Sequence, residues 1–130
     1  MTVDNVSMRM LFLLPDFPYP PSTGGRLKVF NELLYLSGRH QCDILCFGKV
    51  DEAQVSGLVT VLPRVGVLGV VSPRSGVRKW LGMLWHLVRL LPPSLAVFAE
   101  RDYALAVRDS LATGNYDVVH YDIINMAQYL

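Results

Sequence analysis

"MRMLFLLPDFPYPPSTGGRLKVFNELLYLSGRHQCDILCF", residues 8–47, holds the succession of elements that decides the fold. Residues 8–14 are almost continuously apolar and stop at Pro15, the pattern of a strand buried on both faces. From Arg26 to Arg39 the apolar residues Leu27, Phe30, Leu33 and Leu34 recur at helical spacing, and Gly38 supplies a stop signal. "CDILCF", residues 42–47, is then a second short apolar strand. Strand, helix and strand make a βαβ unit, and with it a parallel sheet joined by a right-handed crossover.

Outward from this unit the alternation continues. Residues 51–62 begin with acids that suit a helix N-terminus, although Val55, Val59, Thr60 and Val61 weaken the helical propensity. "VGVLGVVS", 65–72, is β-branched and bounded by Pro63 and Pro73, and so predicts a third strand. Helices are predicted over 76–91, ended by "LPPS", and over 101–112, followed by the turn "TGN". "YDVVHYD", 116–122, is the fourth strand, and "IINMAQYL" reads as a helix just begun. The fold class is therefore α/β, a three-layer Rossmann-like domain with a mostly parallel sheet over residues 8–130, preceded by a disordered lead over residues 1–7. A doubly wound domain that halts at its fourth strand leaves apolar surface uncovered, so the chain is expected to be part of a larger unit.

Composition narrows the function classes. The chain of 130 residues is 52% hydrophobic, enough for one core, and its formal net charge of +1 leaves no global footprint for nucleic acid. Cys42 and Cys46 lie on one strand roughly 13 Å apart, too far for a disulfide between them. Reduced thiols and the lack of a basic-then-apolar leader predict a cytoplasmic protein. The longest apolar stretch, 80–91, is broken by His86 and Arg89 and falls short of the roughly 20 residues of a membrane span, though it could lie on a membrane surface.

The segment 15–25 joins the first strand to the first helix, where ligands bind in open α/β sheets. Its prolines predict a stiff loop projecting from the sheet edge. Gly24 and Gly25 remove side chains where backbone must approach something closely, and exposed amides at a helix start attract phosphate. The alternative is a proline-stiffened surface turn whose glycines serve only the chain reversal. "GGRLKV" is neither the G-x-G-x-x-G fingerprint nor a P-loop.

With these residues in view, "FLLPDFPYPPSTGGRLKVFNELLYLSGRHQCDILCF" resembles the N-terminal segment of family-4 glycosyltransferases. There a strand leads through P-x-F-P-Y-P-P to a glycine pair, a helix and a second strand. "YDVVHYDIINMAQYL" is similar to that family's fourth-strand region. The resemblance implies the N-terminal half of a GT-B fold, with a nucleotide-sugar donor held mainly by a C-terminal domain that this chain lacks. It implies retaining transfer to a hydroxyl acceptor, polysaccharide, glycolipid or small molecule, with no cofactor and no metal. Gly24 and Gly25 would face the donor phosphates, and His120 would touch the transferred sugar or the acceptor.

His120 ends the fourth predicted strand, with Asp122 two residues on and on the same face. The two could act as an oriented acid–base pair, or His120 could simply close the strand end with a backbone hydrogen bond. H-x-D also supplies two metal ligands, but without a third they do not make a site. Asp16 could face the same cleft or serve the turn, and His40, near the opposite end of the sheet, is expected to be structural.

Arg78, Gly82, His86 and Arg89 form a narrow basic stripe on a helix otherwise built from Trp80, Leu81, Met83, Leu84, Trp85, Leu87 and Val88. With Arg74 and Lys79 added, residues 73–91 carry no acid. Arg78, Lys79, Trp80, Trp85 and Arg89 are candidates for contact with an anionic membrane carrying a lipid-linked acceptor, or with a partner protein in a non-enzymatic docking module. The simpler expectation is a core helix, buried on two sides with a solvated basic edge, or one whose second apolar side docks on chain beyond this sequence.

Overall fold

The structure, a computed structural model, describes residues 6–72, 77–90 and 101–129. The predicted lead falls largely outside these residues, as do Arg74, the "LPPS" stop signal and the side chains of Arg78 and Lys79.

Four parallel strands, β1 (Arg9–Leu14), β2 (Gln41–Phe47), β3 (Val65–Val71) and β4 (Val118–Tyr121), lie in the order β3-β2-β1-β4. The helices are α1 (Gly24–Ser37), α2 (Glu52–Val61), α3 (Val77–Val88) and α4 (Arg101–Gly114), followed by a 3-10 turn over Ile124–Tyr129. This is a three-layer Rossmann-like α/β fold, as the sequence predicts, with every described strand parallel.

β1 is central, and its alternating side chains build both cores. Phe12 and Leu14 point to the layer of α1 and α2, where they meet Val29, Leu33, Ile44 and Leu58. Leu11 and Leu13 point the other way, to Leu45, Phe47, Tyr103 and Val107 beneath α4. Each such buried side chain is worth about 1.5–3 kcal/mol, so the unbroken apolar run of β1 is the seed of the domain. Up to β3 the helices cover one face; α4 precedes β4 on the other side of β1 and covers the opposite face, as one common crossover hand requires.

Several local expectations are corrected. The buried stripe of α1 is Val29, Leu33 and Ser37, while Leu27 and Leu34 are exposed. The helix begins two residues before Arg26, because the Thr23 side chain accepts a hydrogen bond from the Arg26 amide and caps it. Gly38 follows α1 with ordinary helical dihedrals (φ −66°), not a left-handed cap. In the "TGN" turn the positive φ falls on Asn115 (47°), and Gly114 is bare because Tyr116 packs on it. The weak propensity of α2 is offset by a full capping box between Asp51 and Gln54.

Of the two expectations for α3, burial on two sides within the domain is contradicted. Trp80, Leu81, Leu84, Trp85, Leu87 and Val88 are all exposed. No helix among the described residues is long and apolar enough to cross a membrane.

Candidate functional site

The strand order reverses at β1, which has β2 on one side and β4 on the other. Ligands of open α/β sheets bind outside the carboxyl ends of the strands at such a switch point. A cleft of about 90 Å³ lies there, lined by Asp16, Thr23, Gly25, Arg26, Val29 and Asp122 among others.

The proline segment forms one wall, and it does not project from the sheet. Phe17 is buried, Tyr19 packs on Phe30 with ring centroids 6.2 Å apart, and the Tyr19 carbonyl accepts from Gln54 Nε2. Gly57 is bare because the Tyr19 ring occupies the place of its Cβ. Gly48, with φ 140°, turns the chain after β2 beside Asp16 and Phe17. The loop is a strap fastened to the α1 and α2 layer, with Ser22 and Thr23 exposed at its far end.

Gly24 and Gly25 are thus the first residues of α1, with first-turn amides that have no intrahelical partners. A Cβ on either would meet no atom within 4 Å. Neither glycine is required at these places by crowding, and the first-turn amides lie open to solvent.

Asp16 does both things expected of it. Its Oδ1 accepts from the Phe17 amide at 2.8 Å, fixing the turn, and both carboxylate oxygens take the Arg26 guanidinium at 2.6 and 3.2 Å. This bidentate hydrogen bond raises the Arg26 pKa above its ordinary value.

His120 and Asp122 do come together on the α1 side of the sheet. The His120 ring packs on Phe12 with centroids 4.8 Å apart, and its Nε2 faces Glu32 Oε2 of α1 at 3.7 Å, in place of the alternative backbone bond. Asp122 accepts from Lys28 Nζ at 2.6 Å, and that bond is the main reason the Lys28 pKa is raised. Lys28 also lies 3.6 Å from Glu32 Oε1. Glu32 and Lys28 are the members the sequence reading missed. Their i, i+4 spacing reads as an ordinary surface pair, and only the packing of α1 beside β4 brings them to His120.

Charge in the cleft is mixed: the carboxylates Asp16 and Asp122 line it with Arg26, while Lys28 and Glu32 lie beside Asp122 outside the lining. Such a wall accepts hydrogen bonds from hydroxyl groups readily, while the amides of Gly24 and Gly25 donate from the neighbouring helix end. Comparison with family models, curated proteins and solved structures finds no match to the chain.

Away from the cleft, His40 is structural as expected, its Nδ1 accepting from the Met8 amide at 3.2 Å. Cys42 and Cys46 are free and buried in the core. On α3 the Arg89 guanidinium lies 4.6 Å over the Trp85 ring, and His86 Nδ1 is 2.9 Å from the Gly82 carbonyl.

Proposed function

We propose that this chain is the acceptor-side domain of a retaining glycosyltransferase, moving a sugar from a nucleotide-sugar donor to a hydroxyl acceptor. The observation that carries the reading is the cleft at the β1/β4 switch point, where a bare helix start meets the carboxylates Asp16 and Asp122. The sequence resemblance carried by residues 12–47 and 116–130 supports the same reading and supplies the roles given to Gly24, Gly25 and His120.

In this reading the amides of Gly24 and Gly25 face the departing diphosphate, where preorganised donors act on charge as it develops. The carboxylates orient acceptor hydroxyls, and His120 contacts the sugar. Donor groups on the far side of the cleft come from a second domain, so the domain alone binds weakly and turns over nothing. No metal or cofactor is invoked, and the expected place is the cytoplasm.

The test is nucleoside diphosphate release from a panel of sugar nucleotides by the full-length protein. Gly25→Val should abolish release with the fold intact, because the added side chain enters open space. Unchanged turnover in that variant would reduce the glycine pair to a turn.

A second reading concerns where the domain works. The apolar face of α3 is exposed, Arg89 covers Trp85, and residues 77–90 contain Arg78, Lys79 and Arg89 with no acid. Such a helix suits the headgroup level of an anionic membrane carrying a lipid-linked acceptor. Co-sedimentation with anionic but not zwitterionic vesicles, lost in Trp80→Ala/Trp85→Ala, is expected. Equal binding to both, or none, would leave the alternative of a protein-docking module.

A further inference from the structure

The sequence offers His120 and Asp122 as two metal ligands without a third; the fold supplies the third. Glu32 on α1 is brought to them so that one carboxylate oxygen of each acid and one imidazole nitrogen lie within 4.8 Å of one another. The Glu32 and His120 side chains are half-buried, and the Asp122 side chain is only 9% exposed.

Two of these atoms lack any other partner. Glu32 Oε2 and His120 Nε2 are shielded from solvent, and neither makes a hydrogen bond. They face each other at 3.7 Å, beyond direct hydrogen-bond reach. Two donors on one tetrahedral zinc ion stand roughly 3.4 Å apart, from bond lengths of about 2.0–2.2 Å. The gap therefore suits a shared ion better than a bond between the two side chains.

The third ligand is already engaged with a cation. Asp122 Oδ1 holds Lys28 Nζ at 2.6 Å, and the same ammonium approaches Glu32 Oε1 at 3.6 Å. The Lys28 side chain is 56% exposed, so it can turn to solvent without disturbing the core.

We propose that Glu32, His120 and Asp122 form a divalent-cation site of zinc type, with three protein ligands and one open position, which the ion enters by displacing the Lys28 ammonium. An imidazole nitrogen beside two carboxylates favours zinc over magnesium or calcium, which prefer all-oxygen shells. The inference is argued from donor geometry and not from the glycosyl-transfer reading, but it uses side chains that reading sets against the acceptor; metal binding is read by calorimetry and transfer by diphosphate release, so the failure of one is told from the failure of the other. Binding consumes no reactant: neutral His120 donates its Nε2 lone pair, and Lys28 leaves with its proton.

The test is calorimetric titration of the 130-residue chain with Zn²⁺, with near-UV circular dichroism confirming the fold of every variant. One ion per chain is expected. Partners outside the first shell of a metal are worth about 10–100-fold in affinity, so Glu32→Gln and His120→Gln should each weaken binding at least about tenfold. Glu32→Gln, on a helix surface, keeps the test valid if His120→Gln disturbs the packing on Phe12. Lys28→Met should tighten binding by roughly two- to fivefold, the worth of one half-exposed ion pair that no longer has to be broken. No one-to-one binding to the wild type, or an affinity unchanged in Glu32→Gln, as zinc taken up by Cys42 and Cys46 would give, overturns the proposal. An affinity unchanged or weakened in Lys28→Met overturns the displacement.

Discussion

Gly66 of β3 lies against its register partner Asp43 of β2 so closely that a Cβ at position 66 would overlap Asp43 Oδ1. The Asp43 carboxylate is buried, and its Oδ2 takes Arg9 Nη2 at 3.3 Å and the Tyr116 hydroxyl at 2.6 Å. Arg9 in turn stacks 5.1 Å from the Tyr116 ring. One buried acid thus joins β1, β2 and the segment entering β4 at the end of the sheet remote from the cleft. Gly66→Ala must push the carboxylate from these partners, and overpacking of this kind costs about 1–3 kcal/mol. A lowered urea midpoint with an unchanged slope is expected; an unchanged midpoint would show that the carboxylate can move freely.

Alkali should unfold the domain through groups buried in their neutral form. Burial pushes the Cys42 thiol from 9.0 to about 11 and the Cys46 thiol to about 12. Burial, with the hydrogen bond to Asp43 second, pushes Tyr116 from 10.0 to about 12. Each group loses its proton more readily when unfolded, so its contribution to stability is complete below the unfolded value and is lost as pH rises through the folded one. Urea unfolding should show constant stability up to about pH 9 and a decline from there to about pH 12. Thiols of the folded chain that react with a disulfide reagent as fast as free cysteine at pH 8 would contradict this.

Tyr103 is the largest fully buried side chain, stacked on Phe47 at 4.3 Å and donating its hydroxyl to the Leu45 carbonyl at 2.7 Å. Tyr103→Phe keeps the stacking and removes only the hydrogen bond. The expected loss is about 0.5–1.5 kcal/mol by urea denaturation, with the near-UV spectrum of the aromatic cluster largely retained. A loss several times greater would mean that the hydroxyl positions α4 as a whole.

What the sequence disclosed and what it hid divide along the range of the interactions. The run of β1 was legible because burial on both faces leaves an unbroken apolar pattern, and the start of α2 was legible because acids suit a helix N-terminus, although its capping box with Gln54 was not read. Glu32 and Asp43 were not, because their partners His120 and Tyr116 are far along the chain: the packing of α1 beside β4 brings the first pair near, and the entry of the chain into β4 the second. The glycine pair was read as loop because the apolar spacing that marks the helix begins only after it, and glycine is itself a poor helix former. Thr23 outweighs that by capping the helix, and Val29 and Leu33 anchor it on the sheet. On α3 the wealth of apolar residues suggested burial on two sides, but helical spacing says only which residues share a face, not what covers it.

The same pair gives the sharpest separation of fold from function. Gly24 and Gly25 occupy the first turn of α1 with open space where a Cβ would be, and neither has a positive φ. Alanine fits the backbone at position 25 and restricts the unfolded chain, so Gly25→Ala should stabilise the domain by about 0.4–1 kcal/mol. If the bare amide is where a diphosphate closes on the helix end, the same methyl group stands in its path. Nucleoside diphosphate release by the full-length protein should then fall while the urea midpoint rises. A residue kept for the fold gives the opposite pattern, a lower midpoint with turnover intact, and measuring both quantities on one variant decides between them.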